Sequence, residues 1–257
     1  MKDYVAENER ILKEWQKSNE KHDEIFFADD GIMYRGLIEE YDNGSERFPD
    51  KEKENTMWNE APLRILFLTK DQNAGGDCAW DVRGETGSLS YAFFRNLMYQ
   101  LYGLVNTKPE YKEGYTFTKK EAMDLYKSYP ISRINAKKEA GTNSVSNNTL
   151  RYYIERDKEF LKKQILNLDA DIIVCCGYSE SIEDSGNLLL NFLKTECYSN
   201  LEQQNDWIFY DEQQNKIAIN NWHLSARKNS EKWYDELIDA YYQFIKKHPS
   251  FTESHRK

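Results

Sequence analysis

Apolar and polar positions change rhythm along this chain, and the changes predict helices alternating with strands. Residues 4–22 place Val5, Ile11, Leu12 and Trp15 on one side of a helix. Residues 23–61 keep no period and predict a long ordered arm. "ILFL" (65–68) is an unbroken apolar run, the pattern of a strand buried on both faces. It stops at Lys70-Asp71, and a polar, glycine-bearing loop follows to about residue 87. "SLSYAFFRNLMYQLYGL" (88–104) returns to helical spacing between a serine start and a glycine stop. "TKKEAMDLYKS" (118–128) predicts a short helix, and "YPISRIN" (129–135) a strand with Pro130 near its start. After a polar loop, "TLRYYIERDKEFLKKQILNL" (149–168) reads as a long amphipathic helix and "DADIIVCCG" (169–177) as a second buried strand. Residues 180–195 read as helix. "DWIFYDEQQNKIAIN" (206–220) reads as a hairpin or two short strands leading into "NWHLSAR", and "SEKWYDELIDAYYQFIKK" (230–247) as the last helix. Strands alternating with helices predict a mainly parallel sheet covered by helices on both faces.

Composition narrows this picture. The chain has 257 residues and a formal charge of −9, so bulk attraction to nucleic acid is excluded and any such site must be a local basic face. No apolar run reaches the roughly 18 residues of a membrane helix, and the charged N-terminus lacks a signal-peptide core. A cytoplasmic monomer with no membrane partner is therefore expected. With no linker or repeat in view, the expectation is one domain over 1–257, with a helix and wrapping arm in 1–61 and the core in 62–247. The four cysteines, Cys78, Cys175, Cys176 and Cys197, include no C-x-x-C pair, so metal-ligand spacing is lacking and buried thiols are expected. Cys175 and Cys176, adjacent on a strand, must face opposite ways.

Ligands of open α/β sheets collect at the carboxyl ends of the strands. Four such ends carry chemistry here. Lys70, Asp71, Gln72 and Asn73 follow the first strand. Asn135, Lys137 and Lys138 follow the second, and Gly177 and Tyr178 the third. Trp222, His223, Ser225 and Arg227 follow the last. Taken singly, each has an ordinary structural role: Asp and Asn close turns and cap helices, a lone histidine satisfies a local hydrogen bond, and Leu224 packs. Only their convergence would make a site.

In that order, the segments resemble the uracil-DNA glycosylase superfamily over roughly residues 62–245. "ILFL-TKDQNA" stands where the best-known type has a strand followed by G-Q-D-P-Y-H, with Asp71 on the motif's Asp. "IAINNW-HLS-AR" stands where the family has a strand followed by H-P-S. "SRINAKK" and "DKEFLKKQILNLDADIIVCCG" follow the family's order between them. Thr69 and Lys70 replace Gly-Gln, Gln72 and Leu224 replace prolines, and Asn73 replaces a Tyr. The resemblance implies a three-layer α/β/α fold around a short, mainly parallel central sheet. It also implies excision of uracil or a related damaged base from DNA, single-stranded or with the base flipped out. The cysteine ligands of the iron–sulfur branch are missing, so no cofactor is expected.

The chemistry fits the residue types. Breaking an N-glycosidic bond builds positive charge on the sugar and negative charge on the departing base. A carboxylate can stabilise the first and orient water, and a neutral imidazole can donate to the second. In this reading Asp71 serves the sugar and His223 the base. Asn135 reads the base edge, with Asn73 and Ser225 beside it. Trp80 stacks on the base, ahead of Phe93 and Phe94. Leu224 wedges into the gap left by the flipped nucleotide. Lys137, Lys138 and Arg227, with Arg133 and Lys228, bind phosphates. Two alternatives are a binding module that recognises nucleic acid or a modified base without cutting, and a nucleoside hydrolase using the same cleft.

Overall fold

The computed structural model describes residues 1–18, 27–34, 50–72, 79–85, 87–141, 145–180 and 185–253. The elements, in chain order, are α1 (Tyr4–Lys17), β1 (Gly31–Met33), α2 (Lys51–Glu60), β2 (Ile65–Thr69), α3 (Ala92–Asn106), α4 (Lys119–Ser128), β3 (Ile131–Asn135), α5 (Asn147–Leu168), β4 (Ile172–Tyr178), α6 (Leu188–Phe192), β5 (Glu202–Gln203), β6 (Ile208–Asp211), β7 (Lys216–Trp222), α7 (Ser230–Lys247) and α8 (Pro249–Glu253).

The strands form one seven-stranded sheet in the order β1-β3-β2-β4-β7-β6-β5. Its four central strands, β3, β2, β4 and β7, run parallel. β1 joins β3 antiparallel at one side, and β6 and β5 join β7 antiparallel at the other. The sheet is therefore mixed, and the expectation of a short, mainly parallel one is corrected. Its parallel centre was legible as apolar runs, whereas its antiparallel margins come from brief segments of the arm and the hairpin.

Alternation along each strand divides the core in two. Ile65, Phe67, Ile172, Val174, Ile217 and Ile219 pack under α3, α4 and α7. Leu66, Leu68, Ile173, Cys175 and Ala218 pack under α1 and α5. This is an α/β/α layering, as the buried runs require. Cys175 and Cys176 fall on opposite sides of the sheet, as expected of strand neighbours, and are buried free thiols. Cys78 lies outside the described residues.

The arm is built into the sheet. β1 extends the sheet, and α1 and Trp58 of α2 complete one core. Asp30, which precedes β1, is fully buried. It accepts two hydrogen bonds from Lys138 Nζ, at 2.7 and 2.6 Å, one from Gln164 and one from the Asn135 backbone N–H. Among the described residues, no helix is long and apolar enough to cross a membrane.

Candidate functional site

The four parallel strands end on one side of the sheet, which brings their following residues into a row. Thr69 of β2 pairs with Asn135 of β3, and Tyr178 of β4 with Trp222 of β7. Only β4 separates the strands that carry Asp71 and His223, which puts their backbones roughly 10 Å apart at ~4.8 Å per strand.

Asp71 leaves β2 two residues past its end. Its carboxylate is nearly enclosed and lies 3.7 Å from Lys137 Nζ. Burial raises its pKa, opposed by the charges of Lys137 and then Lys70. The backbone of Gly141 passes close by: a Cβ there would stand 2.5 Å from Asp71 Oδ2. The Gly141 N–H donates to the Gln72 carbonyl at 2.8 Å, fixing that approach.

His223 follows β7 directly and sits in a tight turn, with the Ala226 N–H donating to its carbonyl. Its Nδ1 accepts the Ser225 backbone N–H at 3.3 Å, and its ring lies 6.1 Å from Phe93. Burial, followed by the charge of Lys70, lowers its pKa to about 4. At neutral pH the imidazole is therefore uncharged, and the accepting Nδ1 leaves the proton on Nε2. The Lys70 ammonium thus acts on both Asp71 and His223, favouring the anion of one and the neutral form of the other. Lys70 also donates to Asn147 Oδ1 at 2.9 Å.

Asn135 is buried at the end of β3. Its Oδ1 accepts from Thr69 Oγ1 at 2.6 Å, while its Nδ2 has no hydrogen-bond partner among the described residues. An unmatched buried donor of this kind costs about 1–3 kcal/mol unless a ligand meets it.

Trp80 is 40% exposed. Gln72, itself buried, grips its backbone from both sides, accepting from the N–H at 3.1 Å and donating to the carbonyl at 2.9 Å. The indole N–H donates to one oxygen of Glu85, whose other oxygen binds Arg133. The Arg133 guanidinium in turn lies 5.0 Å over Phe93. A continuous chain of contacts therefore joins Trp80 to His223.

Several expected roles are corrected. Leu224 is wholly buried in the core, and its carbonyl is held by Asn96 of α3, so it is no wedge. Lys138 is buried on Asp30, and Arg133 on Glu85, so neither meets phosphate. Lys137 is enclosed between Asp71 and the Glu139 carbonyl and belongs to the carboxylate's surroundings. Ser225 contributes its backbone N–H. Ser225, Arg227 and Lys228 remain exposed, and Asn73 lies outside the described residues.

Sequence reasoning placed Gln72 only as a residue following the first strand and gave no role to Glu85 or Gly141. Their partners are distant in sequence or lie on loops without periodicity. Lys70 alone carried a signal, as the cation next to Asp71. Among the described residues, no three His, Cys, Asp or Glu side chains form a group able to hold a metal. No protein-family model matches this chain, and a search of curated proteins finds no match.

Proposed function

We propose that this chain hydrolyses the N-glycosidic bond of uracil or a related damaged base in DNA, on a uracil-DNA glycosylase-like fold. One observation carries the reading. A nearly enclosed carboxylate and a neutral imidazole stand at the ends of two parallel strands separated by one, around a lysine whose charge acts on both. Asp71 would face the sugar as its bond to the base lengthens and would orient the attacking water. Nε2–H of His223 would donate to the oxygen of the base that gains charge. The imidazole is already in its neutral, donating form before the bond breaks, so its stabilisation is preorganised for the transition state. The spare Asn135 amide would meet the base edge, and Trp80 would cover its face.

The test is release of uracil from single- and double-stranded oligonucleotides, read as alkali-labile abasic sites. The expected result is release by the unaltered protein, reduced by at least about a hundredfold in Asp71→Asn and in His223→Gln. No release from uracil or from other damaged bases overturns the catalytic reading.

One observation favours a second reading, a module that binds an extruded base without cutting. Lys70 and Lys137 both act on Asp71, and two cations beside the carboxylate oppose positive charge growing on a sugar there. In that case oligonucleotides bind, and Asp71→Asn binds as well as the unaltered protein.

A further inference from the structure

Beyond His223 the row of strand ends opens into a second feature. Trp222, Lys228, Lys232, Trp233, Glu180 and Glu236 line an open cleft of about 260 Å³. This is below the roughly 300–1,000 Å³ of pockets that enclose drug-sized ligands, and it suits a single ring system. Its wall is rigid. Trp222 meets Tyr178 edge-on at 4.6 Å, and the buried Trp233 donates from its indole to Asn221 at 3.0 Å. The Lys228 ammonium lies over the Trp222 ring, 3.6 Å from its centroid and 3.7 Å from a Glu180 carboxylate oxygen. Lys228 is exposed, and its contacts with Trp222 and Glu180 lie at the surface.

We infer that the Trp222 cleft takes a nucleobase flanking the one at His223. That base would stack on the indole, while Lys228 turns outward to the adjoining phosphate. This rests on the proposed nucleic-acid reading. It goes beyond it by assigning a second subsite with its own ring, one residue along the chain from the imidazole. A π face beside cations is how proteins hold single strands with little regard to sequence; here Lys228 and Lys232 stand at the rim together with Glu180 and Glu236. A lysine resting on the ring in the free protein keeps that face from water until a base displaces it.

The test pairs changes in the protein with changes in the strand. Short single-stranded oligonucleotides carry one deoxyuridine, with the neighbouring nucleotide either intact or replaced on one side by an abasic analogue. Binding is read by fluorescence anisotropy, and base release is read separately. Trp222→Ala is expected to weaken binding of the intact strand about tenfold and to leave the strand lacking one neighbour unchanged. Trp222→Phe should keep most of the affinity. Equal losses on all strands, or no loss, overturn the inference. So does binding that tetramethylammonium blocks and the neighbouring base does not affect, since the ring then serves a small cation. If uracil is released without any dependence on Trp222, this subsite falls alone. If strands bind through Trp222 without base release, catalysis falls and the subsite stands.

Discussion

At the scale of single residues, the imidazole of His223 resists protonation because it is half enclosed and faces the field of Lys70. Its pKa falls from the usual 6.5 of the unfolded chain to about 4 in the folded one. Between these values the unfolded chain binds the extra proton, so stability drops as pH falls from about 6.5 toward 4. His223→Gln removes this component. In urea unfolding, its stability loss between pH 7 and pH 4 should be smaller than that of the unaltered protein by about 2 kcal/mol. An equal loss in both would show that the ring is not shielded. Gly141→Ala tests the neighbouring carboxylate. The new Cβ would collide with Asp71 Oδ2, and displacement of about an ångström costs a reaction about a hundredfold in rate. A large fall in base release with little change in Tm is expected. Asp71 and His223 could be placed near strand ends from the sequence because each closely follows a strand-forming segment, Ile65–Thr69 and Lys216–Trp222. Lys138 and Leu224 were misread because their burial depends on Asp30 and Asn96, far away in the chain. A surface lysine and a buried one look the same in a string of letters.

Among elements, α3 and α7 approach closely. A Cβ on Gly103 would lie 2.5 Å from Ile238 Cδ1 and 2.7 Å from Tyr234. Gly103→Ala should therefore destabilise by about 1–3 kcal/mol, as overpacking does, measured by urea unfolding; neutrality would mean that the two helices can part without cost. The arm offers a second test. Lys138→Met leaves Asp30 as an uncompensated charge in the interior, and a loss of about 3–5 kcal/mol is expected. α7 matches its predicted bounds, because its apolar positions keep the helical period throughout. α4 does as well, apart from Thr118, which caps it with a reciprocal bond to Glu121. α3 begins at Ala92 with no side-chain cap, later than its serines promised. α2 escaped notice because it buries little beyond Glu54 and Trp58, so its sequence is polar nearly all round. β1 is three residues long and too short to show alternation.

For the molecule as a whole, a charge of −9 opposes bulk attraction to a phosphate backbone. Lys138 and Arg133 face inward, while Arg227, Lys228 and Lys232 remain available near the strand ends. If these three meet phosphates, log K for single-stranded DNA should fall with log salt at a slope of about −2. A slope several times steeper would place the contact on another surface. The α/β layering was readable from the order of apolar runs, but the sheet's full width was not, because pairing at its margins joins distant segments. That strand order also bears on how the chain matures. β2 lies between β3 and β4, and β4 needs β7 on its other side. During synthesis one edge of β4 stays unpaired until β7, at Lys216–Trp222, has left the ribosome. A nascent chain stalled before β7 would expose a long unpaired edge, making it a ready client for chaperones and prone to self-association.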